Sequence, residues 1–259
     1  MHDIDERRVT GCGAFHVPYR MENPMCIRAN RCFLFAVILL LSAAIAARAA
    51  EQAKPPVLEV TLDTSAVPDM AKWAEESRQL CEKAFPMICE QLGAPGFAPP
   101  SKVRIVFKEM PGVAHASGTT ITCGAAWFKA HPDDYGAVIH ELCHVVQAYG
   151  RTRTPGWVTE GIADYVRWFV WEPANRRPRV NPDRAKYTDS YQTTAAFFDW
   201  IVQTKDKPFV NRLNAACRKN EYKPELFKEY AGKTVDELWA EFIESVKKTP
   251  RPPRRGKGA

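Results

Sequence analysis

The stretch His140-Glu141-Leu142-Cys143-His144 lies inside an apolar helical pattern made by Val138, Ile139, Leu142, Val145 and Val146. Residues four apart on a helix sit one turn apart on the same face. A chain with this pattern has to fold so that one helix presents two imidazoles side by side, where both reach a single Zn²⁺. Glu141 then lies beside them, placed to handle a water molecule.

A catalytic zinc needs a third protein ligand and an open fourth position. A histidine six residues after His144 would be one solution, but the chain has Gln147 and Gly150 where that pattern needs Gly and His, and no methionine follows Met110. A carboxylate is the remaining option. Fifteen residues separate His144 from Glu160, and the segment Gly150 to Gly156 turns the chain between them. A short turn returns a second helix beside the first and brings Glu160 to the metal. Gly161 is small where two helices approach. Asp164 lies one turn beyond Glu160 on the same face, where it can accept the free N–H of a ligating histidine and fix its tautomer. This E-x-x-x-D arrangement after H-E-x-x-H resembles the gluzincins.

Around this centre the pattern predicts strands first and helices afterwards. Val57 to Leu62 alternates as a strand, Met70 to Leu92 repeats at helical spacing with a kink at Pro86, and Val103, Ile105 and Phe107 alternate as a second strand. Thr119 to Phe128 reads as a third strand, with Gly112 and Gly118 punctuating the loop before it. Helices are predicted over about 134–149, 157–171, 188–204, 208–219 and 234–247. Strands followed by helices imply an α+β domain rather than a doubly wound sheet.

The ends of the chain carry its charge. Residues 33–47 form a short apolar run behind Arg28 and Arg31 and ahead of an Ala-x-Ala site at Ala47 and Ala49, as in a secretory signal. The run is shorter than the ~20 residues of a membrane-spanning helix, so cleavage, with no stable membrane span afterwards, is expected. Residues 1–24 are then an extra leader or a misassigned start, 25–50 the signal, 51–246 one domain and 247–259 a basic disordered tail. The formal charge of the whole chain is +6, yet residues 51–246 carry −2 and the tail +6. The basic balance is therefore no sign of specific nucleic-acid binding, and contact with a polyanion or cell wall is confined to the tail. Composition excludes disorder, collagen and a disulfide knot. Export implies a secreted or periplasmic protein and permits disulfides among Cys81, Cys89, Cys123, Cys143 and Cys217, an odd number that leaves at least one thiol unpaired.

Several segments together resemble the basic secretory protein family of zinc metallopeptidases of plants and bacteria. They are Thr120 to Gly124, Val138 to Gln147, Pro155 to Trp168, Tyr191 to Trp200 and Lys233 to Trp239. The likeness runs in order over about residues 57–245 and implies a zincin-like fold, a small mixed sheet packed on an active-site helix with a mainly helical second half. On this reading His140, His144 and Glu160 hold zinc, Glu141 is the general base, Asp164 supports a ligand, and the substrate is a peptide or protein. Tyr191 or Tyr187 is the candidate donor to the tetrahedral oxyanion, Tyr191 the better placed because it falls in a family-like segment. His131 and His115 read as helix-start and loop residues near the cleft, and Cys143 as a buried thiol or a bridge. The strand Thr119 to Phe128 is either an edge that pairs with substrate or an inner strand. Trp157, Trp168, Phe169, Trp171, Phe197, Phe198 and Trp200 read as core. The alternative function is a non-hydrolytic, zinc-containing defence protein that binds glycan or cell wall through an aromatic surface.

Overall fold

The computed structural model describes residues 56–248. Residues 1–55, where the expected leader and signal fall, and the tail from 249 onward lie outside the described residues. Four strands form one sheet: β1 (Glu59–Asp63), β2 (Lys102–Lys108), β3 (Ala114–Ser117) and β4 (Thr120–Gly124), in the order β1-β2-β4-β3. In β2 the side chains of Val103, Ile105 and Phe107 are buried while Lys102, Arg104 and Lys108 face solvent, so one face of the sheet is covered and the other is wet. β1 and β4 run parallel to β2, and β3 turns back antiparallel on β4 with Ala114 opposite Cys123 and Ser117 opposite Thr120. Gly118 supplies the tight turn of this hairpin at φ 58, a left-handed conformation that favours glycine. β3 is thereby one edge of the sheet and β1 the other.

The covered face packs on helices. α1 (Ala71–Leu92) connects β1 to β2 and runs through Pro86 without ending there. Its Trp73 meets Phe107 of β2 at 5.6 Å and Phe128 at 4.4 Å between ring centroids. Phe128 belongs to α2 (Ala125–Ala130), which leads into α3 (Gly136–Gln147), the helix that carries His140 and His144. α3 is buried on almost every side, against α1, β3, β4 and α4 (Gly156–Tyr165), as a helix with apolar residues all round must be. α4 continues as a π-helical stretch over Val166–Trp171. The chain then crosses the cleft rim and enters α5 (Tyr191–Thr204), α6 (Phe209–Arg218), α7 (Glu225–Ala231) and α8 (Val235–Lys248). Phe197 and Phe198 of α5 meet Phe227 of α7, Phe209 of α6 and Trp239 of α8 in one aromatic core, as the helical spacing predicts. Among the described residues no helix is long and apolar enough to cross a membrane.

The α+β layout expected from the sequence is the one observed, a small mixed sheet on the α3 helix with a mainly helical second half. The details differ in four places. The third strand ends at Gly124, and Ala125 to Phe128 form the start of α2 instead. A Cβ at Gly124 would stand 2.6 Å from the Gly112 carbonyl oxygen, and the chain changes direction at this close approach. The segment Thr120–Gly124 is an inner strand, and the edge beside it is the unpredicted β3, whose Ala-His-Ala-Ser sequence carries no β-branched or large apolar residue. α7, with two buried apolar residues in seven, was too short to show a period. Lys247 and Lys248 belong to α8 rather than to a disordered tail. The five described cysteines are free thiols, and burial pushes that of Cys143 well above its ordinary range, which suits packing and not nucleophilic attack.

Gly161 does sit at a close helix approach, but the neighbour is α5 rather than α3. An added Cβ would lie 2.3 Å from Thr194 Cγ2 and 3.1 Å from Phe198. Gly161→Ala should therefore destabilise the protein by about 1–3 kcal/mol through overpacking, read as a lower urea midpoint with an unchanged slope. A change within about 0.5 kcal/mol would show that α4 and α5 can part freely.

Candidate metal centre

α3 and α4 bring the three candidate ligands together. His140 Nε2 lies 3.0 Å from His144 Nε2 and 3.1 Å from Glu160 Oε2, and His144 Nε2 lies 3.3 Å from the same carboxylate oxygen. Four ligands of a tetrahedral ion such as zinc stand about 3.3–3.4 Å from one another, and the three atoms here are within a few tenths of an ångström of that spacing. Among the described residues this is the one group of His, Cys, Asp and Glu side chains close enough to hold a metal ion.

The hydrogen bonds behind the triangle fix what faces forward. Asp164 Oδ1 accepts from His140 Nδ1 at 2.7 Å, and Gln147 Oε1 accepts from His144 Nδ1 at 2.6 Å. A neutral imidazole protonated at Nδ1 presents a lone pair at Nε2. Two lone pairs and a carboxylate oxygen therefore converge, and three acceptors at this distance need a cation or a proton between them. In the metal-free protein it is a proton. Burial pulls the pKa of His140 down, but its bonds to Asp164 and Glu160 outweigh that and hold it up at about 9. Burial pushes Glu160 up, while His140 and His144 bring it down to about 2.

Gln147 is the residue that sequence reasoning passed over. It is almost fully buried, and besides orienting His144 its Nε2 donates to the Thr159 carbonyl at 2.9 Å, next to Glu160. The same side chain thus holds one ligand and the helix of another. Its position three residues after His144, on the same helical face, was the available signal.

A cleft of about 680 Å³ opens in front of the triangle. Glu141, only 8% exposed, lines it together with the three candidate ligands. Ala114, His115 and Ala116 of β3 form one wall, so His115 is a cleft residue on an edge strand rather than a loop residue. His131 caps the end of α2 and stacks on Trp127 at 3.9 Å, instead of starting α3. The opposite wall carries Tyr191, 54% exposed, with its ring centroid 6.0 Å from that of His140. Ser190 and Tyr191 adopt φ 71 and 45, and two successive non-glycine residues in left-handed backbone hold this ring over the site under strain. The charge of Glu160 and burial raise the Tyr191 pKa, so its phenol keeps its proton. Tyr187, the other candidate, is turned away: its hydroxyl donates to Asp236 at 3.0 Å and its ring packs on Trp157 and Trp239.

A family model described as BSP, peptidase of plants and bacteria, matches residues 49–242. Neither the curated proteins nor the solved structures gave a match. With a cleft that holds a candidate metal triangle, a carboxylate and a free strand edge, the chain belongs to this peptidase family, whose substrates are peptides or proteins.

Proposed function

We propose that the protein is a zinc-dependent peptidase that acts outside the cytoplasm, as the export-signal reading of residues 25–50 implies. The observation that carries the zinc assignment is the convergence of His140 Nε2, His144 Nε2 and Glu160 Oε2 with both Nδ1 protons already engaged. Two nitrogens and one oxygen in tetrahedral spacing with a fourth side open suit zinc better than magnesium or calcium, which prefer all-oxygen shells. Bound there, zinc would supply a Lewis acid for the scissile carbonyl and lower the pKa of a water molecule.

The chain's own residues divide the remaining work. The Glu141 carboxylate takes a proton from the attacking water and passes it to the leaving amine. Tyr191, with its proton retained, donates a hydrogen bond to the carbonyl oxygen as negative charge develops there. Asp164 and Gln147 keep the two imidazoles in the tautomer that faces the cleft. The Gly124 N–H donates to the Val113 carbonyl, and from that register Ala114 and Ala116 turn their backbone N–H and C=O groups away from β4. Those groups would bind an extended peptide by strand addition, which gives affinity through the main chain with little sequence preference. The non-hydrolytic binding alternative has no use for a carboxylate at Glu141.

Glu141→Gln should leave zinc bound and lower peptide cleavage by about 10²–10⁴-fold, read by metal analysis and peptide digestion of the same preparation. Retained cleavage would remove Glu141 from the mechanism. The proton held at His140 sets the pH dependence of metal uptake. Because its pKa is raised, the proton is present below about pH 9, and zinc has to displace it. Zinc affinity should fall by about tenfold per pH unit from pH 9 toward 6, with about one proton released per ion at pH 7. Calorimetry in buffers of different ionisation enthalpy measures this, and uptake without proton release would contradict the arrangement.

A further inference from the structure

A second chamber of about 520 Å³ opens beside the metal cleft and shares Val113, Arg167 and Gln192 with it. We infer that this side chamber is the specificity pocket of the proposed peptidase, and that it takes an uncharged aromatic side chain of the substrate on the carboxyl side of the cleaved bond. The inference rests on the peptidase reading for its position, but not for its chemistry.

Two indoles stand in the walls, and each charged group beside them has a partner of opposite sign. Trp127 stands on one side, stacked with His131. Trp168 stands in the wall with the Arg167 guanidinium 4.2 Å above its ring. Asp134 accepts from Trp127 Nε1 at 3.0 Å with one oxygen and from Arg167 Nη2 at 2.5 Å with the other. Arg176 bridges Glu172 at 3.1 Å and Asp133 at 2.8 Å. An acidic side chain entering here would meet three carboxylates against two guanidinium groups. A basic one would meet the same three carboxylates, each of which is already paired with Arg167 or Arg176, and would have to displace a guanidinium to pair with one. An uncharged ring leaves every pair intact and stacks on the indoles.

Strand direction places the chamber along the substrate. β3 runs from Ala114 to Ser117, and Val113 at its start borders both spaces. A peptide added antiparallel to β3, the more stable pairing per residue, runs its carboxyl-terminal part toward Val113 and hence toward the chamber.

The test uses full-chain, zinc-loaded Glu141→Gln protein and blocked alanine-based hexapeptides that differ at one residue, Phe, Glu, Lys or Ala, with binding measured by calorimetry. The Phe peptide should bind about tenfold more tightly than the other three. Trp168→Ala should erase this ratio while the Ala peptide binds as before. Since removing a partly buried Trp can impair folding, Gln192→Trp at an exposed position, which fills the shared mouth, should erase it as well. Digestion by the protein with Glu141 intact should leave Phe as the first residue of the carboxyl-terminal product. Equal binding of all four peptides, no binding, a preference that survives both variants, or Phe on the amino side of the cut would each overturn the inference. If the protein with Glu141 cleaves nothing while the Phe preference persists, the peptidase reading fails and the pocket stands; if it cleaves all four peptides equally, the reverse holds.

Discussion

Three acceptor atoms point at one another within 3.3 Å at the meeting of α3 and α4, a spacing that requires a proton or a metal ion among them. That convergence is produced from behind. Asp164 and Gln147 hold each imidazole by Nδ1, so the rings cannot rotate or change tautomer to relieve the crowding at Nε2. A buried polar cluster of this kind is stable when every member is matched, and here either a proton or a bound metal ion would complete the match.

The rest of the fold keeps those backs in place. α3 ends at Ala148 in a left-handed conformation at φ 48, and Arg218 of α6 closes that end by donating to the carbonyls of Gln147 at 3.0 Å and Val146 at 3.2 Å. The same guanidinium donates to the Leu92 carbonyl at the end of α1 at 2.7 Å, so one side chain ties together the terminal carbonyls of two helices. α4 is held from its far side by α5, close enough that Gly161 cannot carry a Cβ without displacing Thr194. The hydroxyl of Thr194 in turn donates to the Tyr187 carbonyl at 2.6 Å, which anchors the strained turn leading to Tyr191. Ligand geometry, helix packing and the cleft rim are thus parts of one packed unit.

The sequence was most informative where chemistry follows a local rule. His140, Glu141 and His144 share a helical face by spacing alone, and Glu160 and Asp164 followed because a short turn leaves few places for the next helix to go. The reading failed where position depends on distant contacts. β3 has only small or polar residues, and its role as an edge comes from the hairpin at Gly118, not from its own pattern. Arg167 bears on both chambers because a π-helical stretch turns it toward Asp134, which no periodicity announces. Tyr187 and Tyr191 lie four residues apart, and only the reversal of backbone at Ser190 decides that one enters the core and the other the cleft.

The central claim is that His140, His144 and Glu160 together form a zinc site, and native mass spectrometry of the folded protein with limiting zinc addresses it most directly. The protein should carry about one ion per chain, and His144→Ala and Glu160→Ala should each remain folded by circular dichroism yet lose it. Zinc retained in both variants, or no zinc taken up by the unaltered chain, would contradict the account.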